Sequence, residues 1–233
     1  MRIALLGYGK MGKTIEQIAL QRGHSIIIKA NHGDDYDISQ ADIAIDFSIP
    51  SAAFKNISHC LKHNTPIVSG TTGWLKDYDK AVALCEAEKG AFIYASNFSL
   101  GVNIFFELNA NLAKMMSTLE QYKISIEEIH HTQKLDAPSG TAITLANDII
   151  SAHSSYHSWQ LDKATNDAIE ISAKREVDVP GTHAINYTSD VDTINIKHVA
   201  HNRQGFALGA VVAAEWLLGK TGIFTMKDVL NIG

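Results

Sequence analysis

Short apolar, β-branched runs alternate with stretches of helical periodicity through the first hundred positions of the chain. "RIALLG", "HSIIIKA", "ADIAIDF", "TPIVSG" and "GAFIYAS" read as buried strands, while apolar residues spaced three and four apart predict helices over 11–21, 51–63 and 77–89. Gly, Asn or Pro stands just past each helix and stops it. This order predicts an α/β unit over 1–98, a parallel sheet covered by helices.

The pattern changes at about position 99. A helix over 102–116 leads to an alternating strand, "YKISIEEIH", and to a helix over 141–151. "AIEISAKREV", "THAINYTS" and "DTINIKHVA" follow, the last two parted by Asp190 and Val191, which reads as a hairpin. A second, α+β domain with a mixed open sheet is expected over 99–203. The final helix over 205–218 and "GIFTMKDVL" are expected to return to the first domain, so that 204–233 completes it. The polar stretch "HSSYHSWQLDKATND" is expected to be a mobile connection.

Composition narrows the function classes. The 233 residues are 45% hydrophobic, enough for a real core, and the formal charge of -5 with a pI near 6.1 gives no basic field for nucleic acid or an anionic membrane. The longest apolar tract, "LGAVVAAEWLLG", is interrupted by Glu215 and is shorter than the roughly 20 residues a bilayer demands, so it reads as a buried helix. Met1 and Arg2 run straight into an apolar strand, and Cys60 and Cys85 lack metal-type spacing. The expectation is a cytoplasmic protein with reduced, packing cysteines and a small-molecule chemistry.

The first chemical signal is "GYGKMG", Gly7, Tyr8, Gly9, Lys10, Met11 and Gly12, directly after a strand and at the mouth of a helix. In the G-x-G-x-x-G pattern the first glycine makes the tight turn, the second lets amides approach a pyrophosphate and the third allows close helix–strand packing. A dinucleotide-binding domain of Rossmann type follows. The acid that usually ends the second strand is missing; the segment reads Ile28, Lys29, Ala30, Asn31, His32. Lys29 or His32 is placed to meet a 2′-phosphate, which favours NADPH, or use of both NADPH and NADH. "DFS" with Phe47, "GTTG" with Gly70, Thr71 and Thr72, and "SNFS" with Ser96, Asn97 and Phe98 close three further strands and outline the rest of a cofactor cleft.

The second signal is "EEIHHTQKLDAPSGTA". A turn after the strand would direct His130, His131 and Lys134 into one cleft. A metal is disfavoured: adjacent histidines share an ion poorly, no Cys or carboxylate completes a familiar spacing, and Lys134 repels a cation. Pro138, Ser139, Gly140 and Thr141 open a helix, offering amides and hydroxyls to a carboxylate. Positive charge, anion-binding amides and proton-bearing side chains beside a hydride donor point to reduction, with protonation, of an unsaturated acid or imine.

These motifs, with "ASNFSLGVN", "GTTGW", "RQGFALGA" and the closing "GIFTMKDVL", resemble the dihydrodipicolinate (4-hydroxy-tetrahydrodipicolinate) reductase family over nearly the whole chain. The resemblance implies a lysine- and diaminopimelate-pathway reductase acting on a cyclic dicarboxylate. It implies that His130 and Lys134 handle the catalytic proton, and that His131, Gly140 and Thr141 contact substrate. It further implies cofactor segments at 7–12, 70–72 and 96–98 and a homotetramer joined through the second sheet, and closure of the two domains on the substrate is expected to exclude water. The chain departs from the family pattern at "REVDVPGTH", Arg175 to His183, where a glutamate is lacking and the region is shortened. Two other readings compete: a nucleotide-binding regulator without turnover, which leaves the His/Lys cluster unused, and another amino-acid dehydrogenase, for which "HHxxK" beside "SGT" has no evident purpose.

Overall fold

The computed structural model describes residues 1–202 and 204–232; Arg203, the first residue of "RQGFALGA", lies outside the described residues. Along the chain come β1 (Arg2–Leu6), α1 (Lys10–Gln21), β2 (Ser25–Ala30), β3 (Ile43–Asp46), α2 (Pro50–Lys62), β4 (Ile67–Ser69), α3 (Tyr78–Ala87), β5 (Ala91–Tyr94) and α4 (Leu100–Met116). Then follow β6 (Lys123–His131), α5 (Gly140–Ala152), β7 (Ser158–Leu161), β8 (Ala168–Glu176), β9 (Gly181–Thr188), β10 (Thr193–Ala200), α6 (Gln204–Leu217), β11 (Gly222–Phe224) and α7 (Met226–Leu230). The chain divides into two compact units, one of residues 1–103 with the stretch from 204 onward, the other beginning at 104.

In the first unit six parallel strands lie in the order β11-β5-β4-β3-β1-β2. Alternation along β1 sends Ile3 and Leu5 into one apolar layer, with Ile15 of α1 and Val211 of α6, and Ala4 and Leu6 into the other, with Ile57 of α2 and Trp74. A sheet covered on both faces needs strands apolar at every position, and β3 and β4 are buried throughout. Cys60 and Cys85 are free thiols within the second layer. The register pairs Leu6 with Ala30 and Asp46, Asp46 with Ser69, and Ser69 with Tyr94, so these strands end level and their following loops share one edge.

The second unit holds a mixed sheet in the order β10-β9-β6-β8-β7. β6 runs parallel to β8 and antiparallel to β9. One face carries Ile126, Ile171, Ile185 and Tyr187 against Phe105 of α4 and Leu145 and Ile149 of α5. β7 lies within the polar stretch expected to be a mobile connection. An edge strand needs little apolar surface, and its anchor is Tyr156, buried, whose hydroxyl accepts from the Ile124 amide at 3.2 Å. The hairpin between β9 and β10 turns tightly at 189–192, with the Ser189 amide donating to the Asp192 carbonyl at 2.9 Å. Among the described residues no helix is long and apolar enough to cross a membrane.

Candidate active site

The loop after β1 is built for something to approach it. Gly7 holds φ +96°, and a Cβ there would lie 2.1 Å from the Phe47 carbonyl oxygen. One on Gly12 would lie 2.4 Å from the Gly7 oxygen, whereas around Gly9, which caps α1, nothing comes within 4 Å. The first and third glycines are therefore demanded by the protein's own backbone, and the second is open. The first turn of α1 has no acidic side chain and Gly9 offers no side-chain cap, which leaves the positive helix end to a phosphate. These residues fit a dinucleotide.

Level strand ends bring Phe47, Gly70, Thr71, Thr72, Ser96 and Asn97 to the same edge as 7–12. Their side chains divide between two jobs. Phe98 is buried and packs at 5.8 Å between ring centroids on Phe47, and Thr71 turns inward. Thr71 donates at 2.7 Å to the carboxylate of the "DFS" strand end, Asp46. Asp46 is fully buried and accepts also from Ser69 at 2.8 Å, Ser48 at 2.7 Å and Asn56 at 2.8 Å, while the Ser48 amide donates to Thr71 Oγ1 at 2.8 Å. Burial pushes the Asp46 carboxyl up, and these four hydrogen bonds oppose it. One side chain thereby ties the ends of β3 and β4 to α2.

Lys29 does not stand ready for a 2′-phosphate. Its Nζ is 2.6 Å from Glu16 of α1 and 5.0 Å above the Tyr8 ring, and Tyr8 also bonds Glu16. Beyond β2 lies instead a cavity of about 150 Å³ lined by His32, Asp34, Asp35, Lys55, Asn56 and His59.

In the second unit β6 continues through both histidines, so no turn separates them. Strand alternation places Ile124, Ile126, Glu128 and His130 on the buried face and points His131 to the other face at the strand's last position. Glu128 is fully buried: the Ser139 amide donates to its Oε1 at 3.1 Å and Oε2 at 3.0 Å, Arg175 sits 3.5 Å from Oε1, and His130 Nδ1 and His183 Nε2 lie 3.6 and 3.7 Å from Oε2. Burial works to raise this carboxyl, but His183, Ser139 and His130 outweigh it and hold it at about 2. Burial, then His183, lowers His130 to about 4 against the pull of Glu128, with Lys134 and Arg175 acting in the same direction as His183. At neutral pH the pair is therefore a carboxylate beside a neutral imidazole rather than an ion pair.

Ser139, expected to touch substrate, is turned inward. It is buried, its hydroxyl accepts from the Ala142 amide at 3.2 Å and lies 3.1 Å from His183 Nε2. The open positions at the mouth of α5 are Gly140, with nothing within 4 Å of where a Cβ would be, and Thr141. Lys134 reaches both oxygens of Asp136 at 2.8 Å. Arg175 clamps that loop, donating to the carbonyls of Lys134 at 3.3 Å and Asp136 at 2.6 Å. Glu128, His130 and His183 bring ligand atoms within 4.8 Å of one another, so the carboxylate that sequence spacing did not offer is supplied in space. Arg175 engages that carboxylate and Ser139 engages His183, while His130 Nδ1 makes no hydrogen bond, and the neighbouring cations suit an anion better than a metal.

Pattern reading missed Glu128, Arg175 and His183 as members of one cluster. A usable signal existed for Glu128: it falls two residues from Ile126 and two from His130, on the core face of a strand, where an acid calls for partners.

Comparison with known proteins agrees with both halves. The family described as dihydrodipicolinate reductase, N-terminus, matches residues 1–98, and that described as dihydrodipicolinate reductase, C-terminus, matches residues 101–230. A 4-hydroxy-tetrahydrodipicolinate reductase of Christiangramia forsetii is 62% identical over 234 residues, covering 99% of this chain and 98% of its own. One from Thermosipho africanus is 35% identical over 233 residues, covering 99% and 98%. In fold, the dipicolinate-bound dihydrodipicolinate reductase from Paenisporosarcina sp. TG-14 is similar with a TM-score of 0.77 at 23% identity, covering 98% of each chain.

Proposed function

Since the chain belongs to the dihydrodipicolinate reductase family, we propose that it reduces 4-hydroxy-tetrahydrodipicolinate to tetrahydrodipicolinate, consuming NADPH or NADH and a proton and releasing water. The observation that carries this reading is the cationic loop of Lys134 beside the open amides of Gly140 and Thr141, a receptor for a carboxylate with a proton donor next to it. A bound nicotinamide supplies the hydride. Gly9 and the first turn of α1 hold the pyrophosphate, and the 46–48 and 70–72 loops, stiffened by Asp46, line the remainder of the nucleotide's path with the 96–98 loop.

Lys134 donates the proton, exchanging its internal partner Asp136 for substrate as it does so. His130, neutral at working pH, sits in the same cluster and orients the substrate; His131 contacts it from the strand's end. Both nucleotides serve, because Lys29 is already engaged by Glu16 while acids and bases mix around the cavity beyond β2. The enzyme works in the cytoplasm as a homotetramer built on the second sheet, whose β10 strand is exposed along most of its length.

The test is oxidation of NADPH and of NADH, followed by nicotinamide absorbance, with substrate supplied by a coupled dihydrodipicolinate synthase. Rapid oxidation dependent on the synthase is the expected result, and its ratio for the two nucleotides sets the preference. Bound nucleotide with no oxidation would sink the proposal in favour of a regulator.

A further inference from the structure

Four segments of the second unit converge on one carboxylate. Glu128 comes from β6, Ser139 from the turn before α5, Arg175 from β8 and His183 from β9. Oε1 takes the Ser139 amide and faces Arg175, while Oε2 faces His130 Nδ1 at 3.6 Å and His183 Nε2 at 3.7 Å. His130 Nδ1 is buried and makes no hydrogen bond; the nearest charge it faces is that carboxylate, 3.6 Å away. The two imidazoles meet edge to face with centroids 5.0 Å apart. The far side of the His130 ring rests on Gly181, where a Cβ would come within 3.2 Å of Nε2.

Resting on the function proposed above, we propose that Glu128 and His183 are positioning residues for the reaction: Glu128 holds His130 in the tautomer with its proton on Nδ1, and His183 locks the Ser139 turn that presents Gly140 and Thr141. An ionised carboxylate beside a buried ring nitrogen favours a proton on that nitrogen, which leaves Nε2 with its lone pair. An imidazole oriented in this way by a buried acid is the arrangement by which triad hydrolases hold their base, and loss of the acid there leaves the wrong tautomer. The same carboxylate fixes the amide of Ser139, the N-cap of α5, and through Arg175 the carbonyls of Lys134 and Asp136. Proton-handling and carboxylate-binding parts thus share one anchor. The charged and titratable groups facing His130 are Glu128 on its own strand, Lys134 on the loop, Arg175 on β8 and His183 on β9. Of these, His183 opposes protonation of His130 most strongly.

Glu128→Gln and His183→Asn, measured beside the wild type in the same coupled assay, test this. Glu128→Gln is expected to lower kcat at least about tenfold, with KM for the nucleotide unchanged. His183→Asn is expected to move the acid limb of the kcat/KM profile to higher pH, since His130 then protonates more readily. A merely structural role would move neither that limb nor the split between kcat and nucleotide KM. Wild-type kcat in Glu128→Gln would overturn the assignment of Glu128. If Glu128→Gln does not fold, a wild-type KM for the dicarboxylate in His183→Asn, whose loss frees the Ser139 turn, would overturn the proposal. An inactive wild type would instead overturn the function on which it rests.

Discussion

Lys134 Nζ stands 2.8 Å from both carboxylate oxygens of Asp136, two residues on, in a loop whose carbonyls are held by Arg175. Asp136 so partners the Lys134 ammonium within the loop, and Lys134 draws its carboxyl below the usual range. Two outcomes are expected. Lys134→Ala should lower turnover by about 10²-fold, the scale of a lost general acid. Asp136→Asn should lower KM for the dicarboxylate by roughly two- to fivefold, because it removes an exposed ion pair worth under about 1 kcal/mol that substrate must displace. Steady-state kinetics checks both, and a raised KM in Asp136→Asn would show that Asp136 aids binding instead.

Acid should loosen the second unit in two stages. His130 is held at about 4, below its ordinary 6.5, so the stability its neutral form contributes is complete above 6.5 and is lost as pH falls through that value toward 4. Glu128 is held at about 2, below 4.5, so its contribution is complete above 4.5 and is lost as pH falls toward 2. Thermal melts from pH 7 to 3 should show both losses. His130→Asn should remove the upper one, and an unchanged slope between pH 6.5 and 4 in that variant would refute the assignment.

Asp46 behaves in the opposite sense. Burial raises its carboxyl above 3.8, so the stabilising effect of its protonated form is present below that value and is lost as pH rises through the higher folded one. Asp46→Ala leaves the donors of Ser48, Asn56, Ser69 and Thr71 without their common acceptor and should destabilise the protein by about 3 kcal/mol or more. Asp46→Asn, keeping the shape, should lose less stability and yet raise KM for the nucleotide if the loops it ties form the proposed cofactor edge. Urea titration and nucleotide kinetics separate the two effects.

What the sequence discloses depends on how local the physics is. β1 and β3 could be read because a parallel strand covered on both faces carries a continuous apolar run, and the glycines at 7, 9 and 12 because their spacing follows a turn geometry. β7 escaped because an edge strand is held by backbone pairing and one buried tyrosine, neither of which alters a polar composition. The Glu128 cluster escaped for another reason. Its members lie 47 and 55 positions apart, at 128, 175 and 183, and only the register of β6 with β8 and β9 brings them together. The same register explains why adjacent histidines diverge: pairing continues to His131, and a strand sends neighbours to opposite faces.

The two outer glycines of the first motif and the middle one should fail differently. Gly7→Ala forces a methyl to 2.1 Å from the Phe47 oxygen at φ +96° and should cost about 3 kcal/mol of stability, with loss of nucleotide binding as a consequence of misfolding at the loop. Gly9→Ala meets no protein atom within 4 Å and has an ordinary φ of -85°, so stability should fall by less than about 1 kcal/mol. Nucleotide affinity should nevertheless drop at least about tenfold, equal to 1.4 kcal/mol, because the added methyl occupies the space through which a pyrophosphate reaches the amides of α1. Fluorescence titration of NADPH against the variant, with its melting temperature, is the measurement. Full affinity in a stable Gly9→Ala protein would mean that the phosphate lies elsewhere along the edge.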